Sequence, residues 1–195
     1  METTADRGRA VRQKLLDTAA ELIAERGWAA VSTRMLADRA GVAAGVVHYH
    51  FGSVPALLRQ AALAAIGGML DQIAPALQAA GGPDELVALM AGALDGYDGT
   101  DPTSLLFAET YLAAARDAEL RDALGEQVRR FRRSLADRFA AQRVADPEAT
   151  AAVLAAAIDG VMLHRPLAPG LTAADVTPVL RRLVAPHSER ARKDR

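Results

Sequence analysis

Residues 32–51 read STRMLADRAGVAAGVVHYHF, and this stretch decides the fold. Leu36, Ala37 and Ala40 recur at helical spacing, and Ser32 supplies a hydroxyl to cap the helix they belong to. Gly41 stops that helix, because a residue without Cβ takes up the left-handed backbone that closes a helix end. Val42 sets an apolar anchor in the turn, and a second helix is expected from about Ala43 to Tyr49. Two short helices joined by a glycine-containing turn make a helix-turn-helix pattern.

Toward the amino terminus, Val11, Leu15, Ala19, Leu22 and Ile23 recur at helical spacing, so Arg9 to Arg26 reads as an amphipathic helix ended by Gly27. Residues 1–8 read as a mobile arm, with Arg7 and Arg9 free to reach a phosphate or a minor groove. These three helices form a small domain, residues 1–52. On the other side, Ser53 caps a long helix carried by Leu57, Leu58, Ala62, Ile66, Met69, Leu70 and Ile73. It is expected to kink or stop at Pro75. After the GlyGlyPro break at 81–83, Leu86, Leu89, Met90, Ala93, Leu94 and Tyr97 form the next helix. Asp101 and Pro102 open another, ending near Ala115.

Asp117 caps a helix with the apolar stripe Leu120, Leu124, Val128, Phe131, Leu135 and Phe139, and its Arg129, Arg130, Arg132 and Arg133 read as a solvated face. Asp146-Pro147 opens a helix to His164 that is apolar nearly all round, which means burial in a core or beneath a second subunit. The last helix runs from Ala173, or from Thr177-Pro178, to Val184, and residues 181–195 read as a basic tail. The expected fold is all-α, with about nine helices in all. An amino-terminal helix-turn-helix domain precedes a larger helical domain, residues 53–195.

Composition narrows the function. A chain of 195 residues that is 51% hydrophobic can bury a generous core, which argues against disorder as its main state. Without cysteine there is no disulfide frame, no thiolate nucleophile and no Cys-ligated metal. The amino terminus lacks the apolar core of a signal peptide, and no apolar run reaches the ~20 residues of a bilayer span, so a soluble cytoplasmic protein without a membrane partner is expected. At a net charge of −1, any DNA contact must come from a local patch. There is no nucleophile elbow, no phosphate-cradling glycine loop and no metal-spaced set of His and acids, so neither an enzyme nor a cofactor is expected. His48 and His50 lie two apart on a helix and point to different sides, which argues against a metal site.

The amino-terminal 60 residues or so resemble the DNA-binding domain of the tetracycline-repressor (TetR) family of bacterial transcriptional regulators. Gly27-Trp28, Ser32-Thr33-Arg34, Leu36-Ala37, Ala40-Gly41-Val42, Gly45 and Tyr49-His50-Phe51-Gly52-Ser53 carry the resemblance without gaps. It implies a homodimer on a near-palindromic operator, with half-site centres about one turn, ~34 Å, apart. It also implies that residues 53–195 are a ligand-binding and dimerisation domain, with a ligand pocket and dimerisation through the last two helices, and that a ligand tilts the fourth helix and alters the distance between the two readers. By position, Arg34 is the candidate base reader and Ser32 and Thr33 suit phosphate, while Ala43, Ala44, Gly45, Val46, His48 and Tyr49 face the groove, with Ser53 beside them. Members often carry Ser-Lys-Gly-Thr at 43–46, Tyr at 48 and Lys at 54. This chain has Ala-Ala-Gly-Val, His48 and Val54, so Ala44 or Val46 is left to meet thymine methyl groups.

The candidate ligand residues are Met69, Met90, Tyr97, Phe107, Glu109, Tyr111, Phe131 and His164. Glu109 stands out as an acid among apolar neighbours, needing Arg116, another cation or a ligand as partner. With only 4% aromatic residues the pocket suits a small hydrophobic molecule or acyl group rather than a stacked planar one. The candidate dimer interface is Val153, Leu154, Ala157, Ile158, Val161, Leu180 and Leu183. The expected function is a ligand-responsive repressor. The competing readings are a helical small-molecule or lipid binder without DNA activity, and a DNA-binding regulator without a ligand switch.

Overall fold

A computed structural model describes residues 3–168 and 170–185 of the chain. Among these residues there are nine α-helices and no strand, as the hydrophobic periodicity requires. The helices are α1 Thr4–Arg26, α2 Thr33–Ala40, α3 Ala44–Phe51, α4 Val54–Ala79, α5 Pro83–Ala93, α6 Pro102–Ala114, α7 Ala118–Ala141, α8 Pro147–His164 and α9 Ala173–Val184. The basic tail lies, past Ala185, outside the described residues. The chain folds as two compact units. One comprises the chain up to Asp71 together with Thr100–Glu126, and the other Gln72–Gly99 together with the chain from Gln127 onward.

In the first unit α1 begins earlier than its apolar pattern suggests. Thr3 Oγ1 accepts from the Asp6 N–H at 3.1 Å and the Asp6 carboxylate accepts from the Thr3 N–H at 3.0 Å, a capping box. Arg9 pairs with Asp6, so Arg7 and Arg9 belong to a helix and not to a free arm. Leu15, Ala19 and Ile23 of α1, Leu36 and Ala40 of α2, Val47 of α3 and Leu57 of α4 are fully buried in one cluster, which Leu106 of α6 joins. Each buried leucine contributes roughly 2 kcal/mol.

The second unit is built on Leu86, Val87, Leu94, Leu135, Phe139, Leu154 and Leu180, all buried. Three expectations are narrowed or changed, on α4, α5 and α8. The helix α4 does not stop at Pro75 but continues to Ala79. The carbonyl that proline leaves without a donor belongs to Asp71, which is exposed to water. Tyr97 is not helical: α5 ends at Ala93, a tight turn covers Leu94–Gly96, and the extended Tyr97 offers its carbonyl to Arg165 Nη1 at 2.5 Å. On α8, Ala151, Leu154 and Met162 are buried while Val153 and Leu163 stand exposed, so within the protomer the helix has one inner face, and of the two expected kinds of burial a core all round is the one it lacks.

The remaining helices follow their patterns. On α7 Leu120, Leu124, Leu135 and Phe139 are buried, with Val128 and Phe131 half-buried. Arg129, Arg130 and Arg133 are exposed, whereas Arg132 is half-buried. The last helix starts at Ala173, where Thr172 and Asp175 form a second capping box, and Pro178 lies inside it.

Candidate nucleic-acid interface

The reader is assembled by local rules. Ser32 Oγ accepts from the Met35 N–H at 3.4 Å and starts α2. Gly41, at φ 65°, ends it, and the Val42 N–H returns to the Ala37 carbonyl at 3.0 Å. The inner sides of both helices are Leu36, Ala37, Ala40, Val47 and Phe51, all buried. Their outer sides are therefore free for a partner. Ala43 starts α3 without any side-chain cap, and α3 runs to Phe51, where the Gly52 N–H closes on the His48 carbonyl at 2.8 Å.

Every DNA-facing residue expected from the sequence lies at the surface of this frame. Ser32, Arg34, Ala43, Ala44, Gly45, His48, Tyr49 and Ser53 are exposed, and Thr33 and Val46 are half-buried. Tyr49 is 85% exposed, its ring set edge-on to His50 at 5.1 Å between ring centres. The Arg34 side chain is 92% exposed and, among the described residues, its ion pair is with Asp38, at 3.6 Å. Arg39, the other arginine of the stretch, is differently placed. Its guanidinium donates to both Glu25 oxygens at 3.0 and 2.8 Å, which holds the Glu25 carboxyl below its ordinary range. Arg39 thus fastens α2 to α1, and Arg34 is left for a partner.

His48 Nδ1 sits 3.2 Å from the Gly52 carbonyl oxygen, which only accepts, so this nitrogen carries the proton. His50 is half-buried and meets Phe51 at 6.3 Å between ring centres, a packing role at the helix end. Ser53 Oγ accepts from the Ala56 N–H at 3.3 Å and so caps α4. Arg12 lies 5.0 Å above the Phe51 ring and hydrogen-bonds Gln60, tying α1 to the end of α3 and the start of α4. Nothing in the spacing of residues 12, 51 and 60 signals that contact.

The candidate ligand residues are divided between the two units. Met69, Phe107, Glu109 and Tyr111 belong to the first, and Met90, Tyr97, Phe131 and His164 to the second. Phe107 and Met90 are buried, His164 is exposed, and the others are half-buried. Phe107 and Tyr111 meet at 4.6 Å between ring centres. Glu109 has found a partner that its neighbours in sequence do not announce: its Oε2 accepts the backbone N–H of Trp28 at 2.7 Å. A surface recess of about 500 Å³, lined by Leu22, Arg26, Met35, Asp38 and Arg39, involves none of the candidate ligand residues.

Of the candidate dimer residues, Leu154 and Leu180 are buried within the protomer, Ala157, Ile158 and Val161 are half-buried, and Val153 and Leu183 are exposed. Leu163 and Val179 extend the exposed apolar set beyond what the sequence suggests. Among the described residues no three or more His, Asp or Glu could together hold a metal ion, and no single helix is long and apolar enough to cross a membrane.

Comparison with known proteins adds the following. Residues 15–61 match the family described as bacterial regulatory proteins, tetR family, and residues 81–186 the tetracyclin repressor-like C-terminal domain. The HTH-type transcriptional regulator BetI of Rhizobium meliloti (strain 1021) is 32% identical over 158 residues, spanning 80% of this chain and 78% of that protein. Among solved structures, SCO7518 from Streptomyces coelicolor A3(2) is 32% identical, with a TM-score of 0.76 over 90% of this chain and 99% of its own. The multidrug binding protein EbrR complexed with imidazole is 30% identical, with a TM-score of 0.71 over 94% of this chain and 95% of its own.

Proposed function

We propose that this chain, which belongs to the tetR family of bacterial regulatory proteins, represses transcription by gripping a near-palindromic operator as a homodimer and lets go when a small hydrophobic molecule binds. It acts in the cytoplasm, with residues 1–52 reading DNA and residues 53–195 holding the ligand and the partner subunit. The observation that carries the reading is the contrast within one stretch: Leu36, Val47 and Phe51 are buried to fix the helices, while Arg34, Ala44 and Tyr49 are exposed on them.

In this reading Arg34 takes a guanine edge, Ser32 and Thr33 meet phosphate at the mouth of α2, and Ala44 or Val46 meets thymine methyls. Gly45 lets the α3 backbone come close to the groove, Ala43 and Ser53 border it, and His48 and Tyr49 hold the DNA backbone. That a small molecule controls release is supported by the EbrR relative, which is complexed with imidazole. Release requires only that the ligand prefer the arrangement in which the two readers no longer match successive grooves. Movement of α4, which leads directly from the reader, would change that match.

Selection of bound sequences from a random DNA pool, at stated salt, tests the reading. Wild type is expected to enrich a near-palindrome with half-sites about one turn, ~34 Å, apart. Arg34→Ala should relax one position in each half-site, at about 1–3 kcal/mol per lost bidentate contact. A folded dimer that enriches nothing at low salt would leave a helical small-molecule or lipid binder as the function.

A further inference from the structure

The corner between α1 and α2 is held from outside the reader, by α6. Glu109 Oε2 accepts the Trp28 N–H at 2.7 Å across 81 residues of sequence. The same carboxylate lies against Gly27, whose φ of +81° is a backbone that favours glycine and that turns the chain into the corner. Leu106, on the same helix, is buried in the cluster of Leu22, Ile23, Val31 and Leu36, and Trp28 packs against that cluster. Helix α6 therefore grips the corner both by a hydrogen bond to backbone and by an apolar side chain. Beyond the corner come Ser32, which caps α2, and Arg34.

We infer that Glu109 is a positioning residue for operator reading: through the Trp28 backbone it fixes the orientation of α2 to α6. The inference rests on the regulator reading above. At about 100° per residue Glu109 lies roughly opposite Phe107 and Tyr111 on α6. A displacement felt by that aromatic pair is thus delivered to the corner by the other side of the helix. The acceptor meets a main-chain N–H, so the link depends on the acid at 109 and not on the indole of Trp28.

The test compares wild type, Glu109→Gln, which keeps an acceptor oxygen, and Glu109→Met, which fills the same space without one. The probes are the operator selected by wild type, versions with one base pair added or removed between half-sites, and a single half-site. Wild type and the glutamine variant should lose about tenfold in affinity when the spacing changes, a loss of the size of ordinary coupling energies. The methionine variant should bind all spacings within about threefold of one another, with its single half-site affinity changed less than about twofold. Equal spacing discrimination by the methionine variant and wild type overturns the inference. So does a loss of half-site binding that matches the loss on the full operator, which would make Glu109 part of the reader's own framework. Glu109→Ala gives the same comparison if thermal melting shows the methionine variant unfolded. Failure of wild type to enrich any operator removes the regulator reading itself, an outcome distinct from either of these.

Discussion

At the scale of single residues, Arg59 and Asp117 show how one contact carries two duties. Arg59 meets Asp117 at 3.1 Å and Glu119 at 2.7 Å, and Asp117 also accepts the Leu120 N–H at 3.0 Å, which starts α7. The Leu120 N–H and then the Arg59 guanidinium hold the Asp117 carboxyl below its ordinary 3.8, against the opposing effect of burial. A carboxyl lowered in the native state stabilises fully above its unfolded value, and that stability is lost as pH falls through the native value. Asp117→Ala should therefore cost about 1 kcal/mol in urea melts at neutral pH. The gap from wild type should narrow once the pH drops below 3.8. Arg59→Ala should cost a similar amount, about 1 kcal/mol, and leave the capping bond in place. Arg34 and Arg39 make the complementary point. The sequence offers both, and only the distance of Arg39 from Glu25 reveals which one is already engaged.

At the scale of elements, what was legible in the sequence was what is decided within one helical turn. Ser32, Gly41, Ser53 and Asp101 begin or end helices where their side chains and backbone preferences put them, because each contact spans a few residues. The early start of α1 leaves no mark in the apolar pattern, because the Thr3–Asp6 capping box precedes the first apolar residue of that pattern. The bonds between distant segments were not legible at all: Trp28 to Glu109 spans 81 residues and Arg39 to Glu25 spans 14. Glu109 could be flagged as an acid needing a partner, but a backbone N–H leaves no mark in a sequence. On α8 the alanines hide which side is inner, since small residues fit both faces, and only the structure separates buried Leu154 from Val153, 53% exposed. With Val179 on α9, 51% exposed, Val153 gives a direct handle on the proposed dimer. Val153→Glu combined with Val179→Glu should turn a dimer into a monomer in sedimentation at micromolar concentration, with the helical signal unchanged. A dimer that persists would move the interface elsewhere.

At the scale of the whole molecule, a net charge of −1 is joined to a reader whose residues 32–53 contain two arginines and no lysine. With Arg39 committed to Glu25, few cations are left to displace counterions from DNA. Operator binding should therefore depend only shallowly on salt. The slope of log affinity against log salt should be about −4 or less steep for the dimer, against about −10 for a heavily phosphate-bound repressor. A steep slope would point to cations outside the α2–α3 face. One further consequence follows from the corner that Glu109 grips. Trp28 is the chain's single tryptophan, so emission excited at the red edge, where the three tyrosines do not absorb, arises from this joint and from nowhere else in the protomer. The protein carries its own optical gauge, and a fluorimeter can follow the corner during titration with DNA or with candidate inducers without any dye attached.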